Sequence, residues 1–267
     1  MKNNLFSLSF SVFLSVSLLS ACDEPSASEP ESKGAQSKGP RLDEVAKVQA
    51  SKTPEDEATQ VALVPRVKTP SPAVDLGKSE AGLGIEVGAK IPEAGALNMK
   101  GERITLQELS ADGPILLIFY RGGWCPYCNF QVRGISRNIA EFQKRAVTPV
   151  LVSVDQVSES VKTLATYKIQ FPVLSDSKLE LHQAFSVLNK VSDADIKKMK
   201  DKGHDLEAAS ARLHRFVAYP SVFLLDKGKI VFSHVDKDFR ARPTVKQLTD
   251  KLEELGYAAS EQTPSAQ

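Results

Sequence analysis

A chain of 267 residues that is 42% hydrophobic and 25% charged, with a formal net charge of +1, holds enough apolar material for one globular core and no excess of either sign. No long run of like charge interrupts that balance, so the electrostatic footprint of a polyanion binder is missing and no nucleic-acid partner is expected.

The chain begins with Lys2 and an apolar stretch from Leu5 to Leu19, diluted by serine and ending in Leu19-Ser20-Ala21-Cys22. It is too short and too polar for a comfortable membrane span and reads as a secretory signal over residues 1–21. Small residues ahead of Cys22 resemble the lipobox of bacterial lipoproteins. That resemblance implies lipidation of Cys22, which is then a membrane anchor and not a redox group, and a place in the cell envelope on the periplasmic face. Asp23 and Glu24 resemble the signal for retention in the inner membrane. From 22 to 82 the composition is rich in Pro, Ser, Glu, Lys and Ala, and no aromatic ring occurs between Phe13 and Phe119. Such a segment cannot bury enough apolar surface to offset its ordering entropy, so a flexible tether is expected, with a globular domain over 83–257 and a disordered tail over 258–267.

Within the domain, Ile104-Thr105-Leu106 predicts a short strand opening a small helix, and Ile115 to Tyr120 a central strand buried on both faces. A helix is expected from Pro126 to about Lys144, with proline at the favoured first position. Pro149 to Val154 reads as a second buried strand, Ser158 to Tyr167 as a helix, and Val173-Leu174 as a short strand. Lys178 to Ala184 predicts another helix, and the polar stretch from Asn189 to Arg212 a helical insertion. Ser221 to Leu225 and Ile230 to Val235 flank Asp226-Lys227-Gly228-Lys229, a hairpin turn, and Thr244 to Leu255 closes as an amphipathic helix. This order predicts an α/β fold with a central mixed β-sheet flanked by helices.

Chemistry concentrates at Trp124-Cys125-Pro126-Tyr127-Cys128, where the central strand hands over to a helix. With Cys22 assigned to lipid, the remaining cysteines are this pair. A loop so short removes little unfolded-state entropy, so a working disulfide is favoured over a structural staple. At a helix start the first thiolate is stabilised by unpaired N–H groups and the helix dipole. Half of a zinc site is disfavoured because no second Cys-x-x-Cys exists, and haem attachment because Asn129 follows Cys128. A copper site adding one of His182, His204, His214 or His234 is the weaker metal reading, since scattered surface histidines are the usual case. No cofactor or metal is expected. Asp236, Asp238, Arg240 and Arg242 read as a solvated loop after the hairpin.

Three separated motifs carry a family resemblance: Phe119-Tyr120-Arg121-Gly122-Gly123-Trp124-Cys125-Pro126-Tyr127-Cys128, Phe171-Pro172-Val173-Leu174-Ser175-Asp176, and Tyr219-Pro220-Ser221-Val222-Phe223-Leu224-Leu225-Asp226-Lys227-Gly228. Together they resemble the peroxiredoxin-like branch of the thioredoxin-fold superfamily, the alkyl hydroperoxide reductase and thiol-specific antioxidant proteins, over roughly Val87 to Leu255. Aligned on Phe119-Tyr120, however, Arg121 takes the family's proline position, Cys125 the threonine position and Cys128 the peroxidatic position, while Pro220 falls where a later arginine belongs. The usual peroxide-activating set is therefore expected to be absent, with Arg121 as a substitute charge.

At the dithiol itself the chain is closer to thioredoxin-like oxidoreductases. Trp124 precedes the pair as a lid, Pro126-Tyr127 resembles the glutaredoxin motif, and Tyr219-Pro220 resembles the cis-proline segment that faces the dithiol. By that resemblance Cys125 attacks and Cys128 resolves. The buried acid some thioredoxins keep behind the dithiol is Ile118 here, so proton transfer to Cys128 calls for water or another group. The expectation is a thiol–disulfide oxidoreductase acting on protein or small-molecule disulfides and thiols. Two alternatives stay open: a thiol-dependent peroxidase with Cys128 peroxidatic and Cys125 resolving, whose partners are hydroperoxides, and a non-enzymatic metal-binding or scaffold lipoprotein.

Overall fold

A computed structural model describes residues 74–260. The expected signal, the Cys22 anchor and most of the tether lie outside the described residues.

The strands are β1 (Gly95–Leu97), β2 (Arg103–Thr105), β3 (Ile115–Phe119), β4 (Thr148–Ser153), β5 (Val173–Ser175), β6 (Leu188–Lys190), β7 (Phe216–Ala218), β8 (Ser221–Asp226) and β9 (Lys229–Val235). The helices are α1 (Leu106–Leu109), α2 (Pro126–Arg137), α3 (Ile139–Gln143), α4 (Val157–Tyr167), α5 (Glu180–Ala184), α6 (Asp193–Asp201), α7 (Leu206–Ser210) and α8 (Val245–Glu254). Seven strands form one mixed sheet in the order β2-β1-β5-β4-β3-β8-β9. β3 runs parallel to β4, from Ile115 opposite Thr148 to Phe119 opposite Val152, and antiparallel to β8, from Ile115 opposite Leu225 to Phe119 opposite Ser221.

The continuous apolar run of β3 follows from its central place. Ile115, Leu117 and Phe119 enter one core with Val150, Phe185 and Phe223, while Leu116 and Ile118 enter the other with Val132, Ile135 and Phe142. Alternation along one strand thus feeds two hydrophobic layers, as expected for a sheet covered on both faces. The β8–β9 hairpin turns through Lys227 (φ 47°) and Gly228 (φ 77°), both left-handed, as the turn chemistry demands.

Three expectations are corrected. The helix predicted from Pro126 to Lys144 breaks at Asn138 (φ −118°), whose Nδ2 donates to the Gly134 carbonyl at 2.8 Å, a local side-chain bond that competes with helix continuation. The insertion from Asn189 to Arg212 is not wholly helical: α6 and α7 ride on a separate β6–β7 ribbon, Leu188 opposite Ala218. Ile196 and Leu206 supply the apolar faces that hold it, packing with Val154, Leu179 and Val217. The ordered domain also begins earlier than 83. Val74 is buried and its carbonyl accepts from Gln247 Nε2, the Lys78 carbonyl accepts from the Val235 amide, and Ser79 bridges Val235.

Candidate active site

β3 ends at Phe119, and Tyr120 to Trp124 turn the chain into α2. Cys125 is the N-cap of that helix, its Sγ accepting from the Cys128 amide at 3.4 Å, and Pro126 occupies the first turn. Cys125 and Cys128 form a disulfide with Cα atoms 5.3 Å apart, and both are buried, at 1% and 0% exposure. The sequence thus places both sulfurs where the helix presents N–H groups and positive dipole, which favours thiolate over thiol when the bond opens.

The turn ahead of the pair is fixed from both sides. The Gly123 amide donates to Asp155 Oδ2 at 2.7 Å, and the Gly123 carbonyl accepts from Asn129 Nδ2 at 2.6 Å. Gly122 sits at φ +147°, and a Cβ there would collide with the Trp124 indole nitrogen and the Asp155 carboxyl; one on Gly123 would strike Thr163 Oγ1. The glycine pair therefore serves both backbone conformation and close approach.

Arg242 overturns two sequence expectations. It is not on a solvated loop but 3% exposed, and it reaches the dithiol: Nη2 donates to Cys128 Sγ at 3.1 Å, Nη1 to the Phe119 carbonyl at 3.4 Å and Nε to the Phe239 carbonyl at 3.2 Å. An arginine is thus present at the second sulfur, supplied after β9 and not at the Pro220 position. The segment that carries it is braced: the Asp236 amide donates to the Pro220 carbonyl, and Gln131 Nε2 on α2 to the Pro243 carbonyl. Burial, reinforced by the charge of Arg121 and opposed by Asp236, lowers the Arg242 guanidinium to about 9, which still leaves it cationic at neutral pH. In sequence the residue had little to mark it beyond apolar Ala241 and Pro243 on either side, because the partners that bring it to the dithiol, Phe119 and Cys128, lie more than a hundred positions away.

Arg121 is partly buried in an aromatic stack. Its guanidinium stacks 5.0 Å from the Trp124 ring centroid and 4.8 Å from that of Phe239, which meets Tyr127 edge-on at 5.5 Å. Trp124 and Tyr127 pack against the cluster that holds both cysteines. Burial lowers Arg121 to about 10, with Asp195 opposing. Arg242 thus sits on the Cys128 sulfur, and Arg121 in the aromatic stack on Trp124, the residue before the dithiol.

A buried acid does stand beside the turn ahead of the dithiol, just past the end of β4, where it holds the Gly123 amide. Asp155 is 1% exposed, and burial raises its carboxyl to about 7; the Gly123 N–H counters that rise and nearby Glu159 adds to it. The Trp124 indole N–H lies near enough to lower it slightly without making a well-aligned hydrogen bond. The Ser175-Asp176 motif supports the same region: Ser175 Oγ donates to the Asp155 carbonyl at 2.7 Å, and Asp176 Oδ2 accepts from the His182 amide and lies 2.6 Å from His182 Nδ1. His182 meets Phe119 edge-on at 5.1 Å.

Tyr219 and Pro220 stand just ahead of β8, whose first residue Ser221 pairs with Phe119 beside the dithiol turn; Pro220 is buried and Tyr219 packs on the opposite core from the cysteines. Of the histidines expected at the surface, His182 and His234 are buried. Among the described residues, no group of three or more His, Cys, Asp or Glu side chains is placed to hold a metal.

The AhpC/TSA family model matches residues 87–233. A peroxiredoxin from Pyrococcus abyssi is 25% identical over 111 residues, covering 39% of this chain and 51% of that protein. The chain spans about half the length of the curated relatives it matches. Among solved structures, peroxidoxin BcpB from Mycobacterium tuberculosis superposes with a TM-score of 0.51 at 18% identity, over 67% of this chain and 99% of that one. Peroxiredoxin 6 of Arenicola marina gives 0.52 at 14% identity, over 65% and 74%. These likenesses show the fold, and with the family match over most of the described domain, the chain belongs to the AhpC/TSA family and has its peroxiredoxin-like, thioredoxin-type α/β architecture.

Proposed function

We propose that this protein is a thiol–disulfide oxidoreductase that cycles Cys125 and Cys128 between dithiol and disulfide. The observation that carries the reading is a paired disulfide at the N-terminus of α2 with Arg242 Nη2 3.1 Å from Cys128 Sγ. A partner thiolate attacks Cys125 Sγ, the disulfide breaks, and Cys128 leaves as a thiolate stabilised by Arg242; a thiol that leaves easily speeds exchange. A second partner thiolate then attacks the partner sulfur of the mixed disulfide, so the partner departs oxidised and Cys125 is released as thiolate. In a Cys128→Ser protein, where Cys125 is a free thiol, its attack on the disulfide of an oxidised partner releases one partner thiolate and is expected to leave a mixed disulfide that accumulates on Cys125, visible by peptide mass mapping. In Cys125→Ser, turnover is expected to fall to background, and full turnover there would sink the assignment.

A second reading is favoured by the same arginine. Arg242 places a charge at Cys128, so a Cys128 thiolate could attack the terminal oxygen of a hydroperoxide, releasing an alcohol and leaving a sulfenic acid. Cys125 would then condense with it to reform the disulfide with loss of water. Brief peroxide exposure of Cys125→Ser, followed by sulfenic-acid trapping, separates the readings: label on Cys128 at a rate well above free cysteine selects the peroxidase.

The sequence of the leader supports an envelope site as part of the same proposal, with Cys22 lipidated, the domain held on the periplasmic face, and Asp23 and Glu24 retaining it at the inner membrane. Cys22→Ser is expected to move the protein from the membrane fraction to the soluble one, and unchanged membrane association would refute the anchor.

A further inference from the structure

Besides Trp124, which packs on the insertion with its ring 6.1 Å from that of His204, a second contact that the redox reading does not use joins the insertion to the dithiol turn. Arg121 Nη2 lies 4.0 Å from the thioether sulfur of Met199, on α6. Arg121 is held there by its rings, 5.0 Å from Trp124 and 4.8 Å from Phe239, and its buried Nε has no hydrogen-bond partner. Met199 is only partly buried, so its sulfur is within reach of solvent-borne reagents. A thioether is a weak acceptor for so strong a donor, whereas a sulfoxide oxygen is a strong one. An oxygen added to this sulfur would stand between it and the guanidinium and convert a long, weak contact into a charge-assisted hydrogen bond.

We infer that Met199 is a site of reversible oxidation by hydroperoxides, selected by Arg121, and that the oxidised side chain ties α6 to the turn that carries the dithiol. In the step, the Met199 sulfur attacks the terminal oxygen of the hydroperoxide and the O–O bond breaks. The sulfur is oxidised to the sulfoxide, and the remaining oxygen takes a proton and leaves as alcohol or water. Arg121 donates to the departing oxygen, where negative charge develops, and then to the new sulfoxide. The hydroperoxide is the only co-reactant, and a sulfoxide of this type is open to enzymatic reduction. The site does not depend on the dithiol's own chemistry, so it stands or falls separately from the oxidoreductase reading.

The test uses the full chain with Cys125→Ser and Cys128→Ser together, exposed to dilute hydrogen peroxide and followed by peptide mass mapping of Met99 and Met199. Met99, partly buried like Met199 but packed at the rim of a core layer, is the internal control. Met199 is expected to gain its oxygen about tenfold faster than Met99, a selectivity that corresponds to a modest difference in transition-state stabilisation. Arg121→Gln is expected to remove most of that preference, and in a protein with Arg121 intact the oxidised form is expected to unfold at a higher temperature than the reduced one. Met199→Leu, which keeps the apolar volume, should fold normally and lose the peroxide-dependent rise. Equal oxidation of Met99 and Met199, selectivity that survives Arg121→Gln, or a melting temperature that falls on oxidation would each overturn the proposal.

Discussion

Replacing Arg242 with Met is expected to lower the reduction potential of the Cys125–Cys128 couple by about 30 to 60 mV, since a hydrogen bond to a charged group is worth about 1.5 to 3 kcal/mol and about 1.4 kcal/mol corresponds to 30 mV in a two-electron couple. The sign follows from which state gains most. In the disulfide, Arg242 Nη2 faces a neutral sulfur at 3.1 Å; in the dithiol the same sulfur can be a thiolate, and the guanidinium then meets an anion at hydrogen-bond range. Arginine therefore stabilises the reduced form, and its loss makes the couple more reducing and raises the Cys128 thiol pKa. Arg242 also donates to the carbonyls of Phe119 and Phe239, so Met at this position is expected to cost stability as well. Arg242→Lys, which keeps the charge but not the planar fork, should fall between. Equilibration against glutathione, followed by the fluorescence of Trp124, the sole tryptophan, measures the shift directly. An unchanged or higher potential in Arg242→Met would show that the contact does not act on the thiolate.

Asp155→Asn is expected to stabilise the protein above neutral pH and to have little effect in acid. The carboxyl ordinarily titrates at 3.8 and is raised to about 7 by burial in the fold. Between those values the folded protein holds a proton that the unfolded chain has released, so stability falls as pH rises through that window and remains at its lower level above it. At about 1.4 kcal/mol for each tenfold in proton affinity, the penalty at about pH 8 reaches up to about 4 kcal/mol. Asparagine removes the charge and keeps an oxygen for the Gly123 amide. The melting temperature of Asp155→Asn minus that of the natural protein, measured at about pH 5 and about pH 8, should therefore widen in favour of asparagine at the higher pH. A difference independent of pH would show that Asp155 is not the group that titrates.

The backbone was largely legible because its signals are local. The two-sided burial of β3 showed as five consecutive apolar residues, the β8–β9 turn as Lys227-Gly228, and the last helix as Thr244 ahead of an amphipathic run, where the structure finds a capping box with Gln247. The β6–β7 ribbon was not legible: each strand has three residues, and the long polar helices between them dominate the periodicity. β1 was hidden for a similar reason, since Gly95-Ala96-Leu97 has no β-branched residue and is defined by pairing with β2 and β5.

The site divided along the same line. Cys125, Cys128, Trp124 and the glycines are contiguous, and their spacing stated the chemistry. Arg242 and Asp155 are brought to that turn by the fold, one from the loop after β9 and one from just past the end of β4; Arg242 read in isolation as a charge on a solvated loop, and nothing local in the sequence marked Asp155. Arg121 was visible by position but not by role, because its stacking on Phe239 joins residues far apart in the chain.

The most direct test of the account is the reduction potential of the Cys125–Cys128 disulfide in the natural protein, with reduction followed by Trp124 fluorescence and confirmed by thiol alkylation. A working couple assisted by Arg242 predicts a single two-electron transition with a midpoint above about −300 mV, the level below which structural disulfides typically lie. A midpoint well below that level, or a disulfide that resists physiological thiols altogether, would make the pair a staple and contradict the oxidoreductase reading.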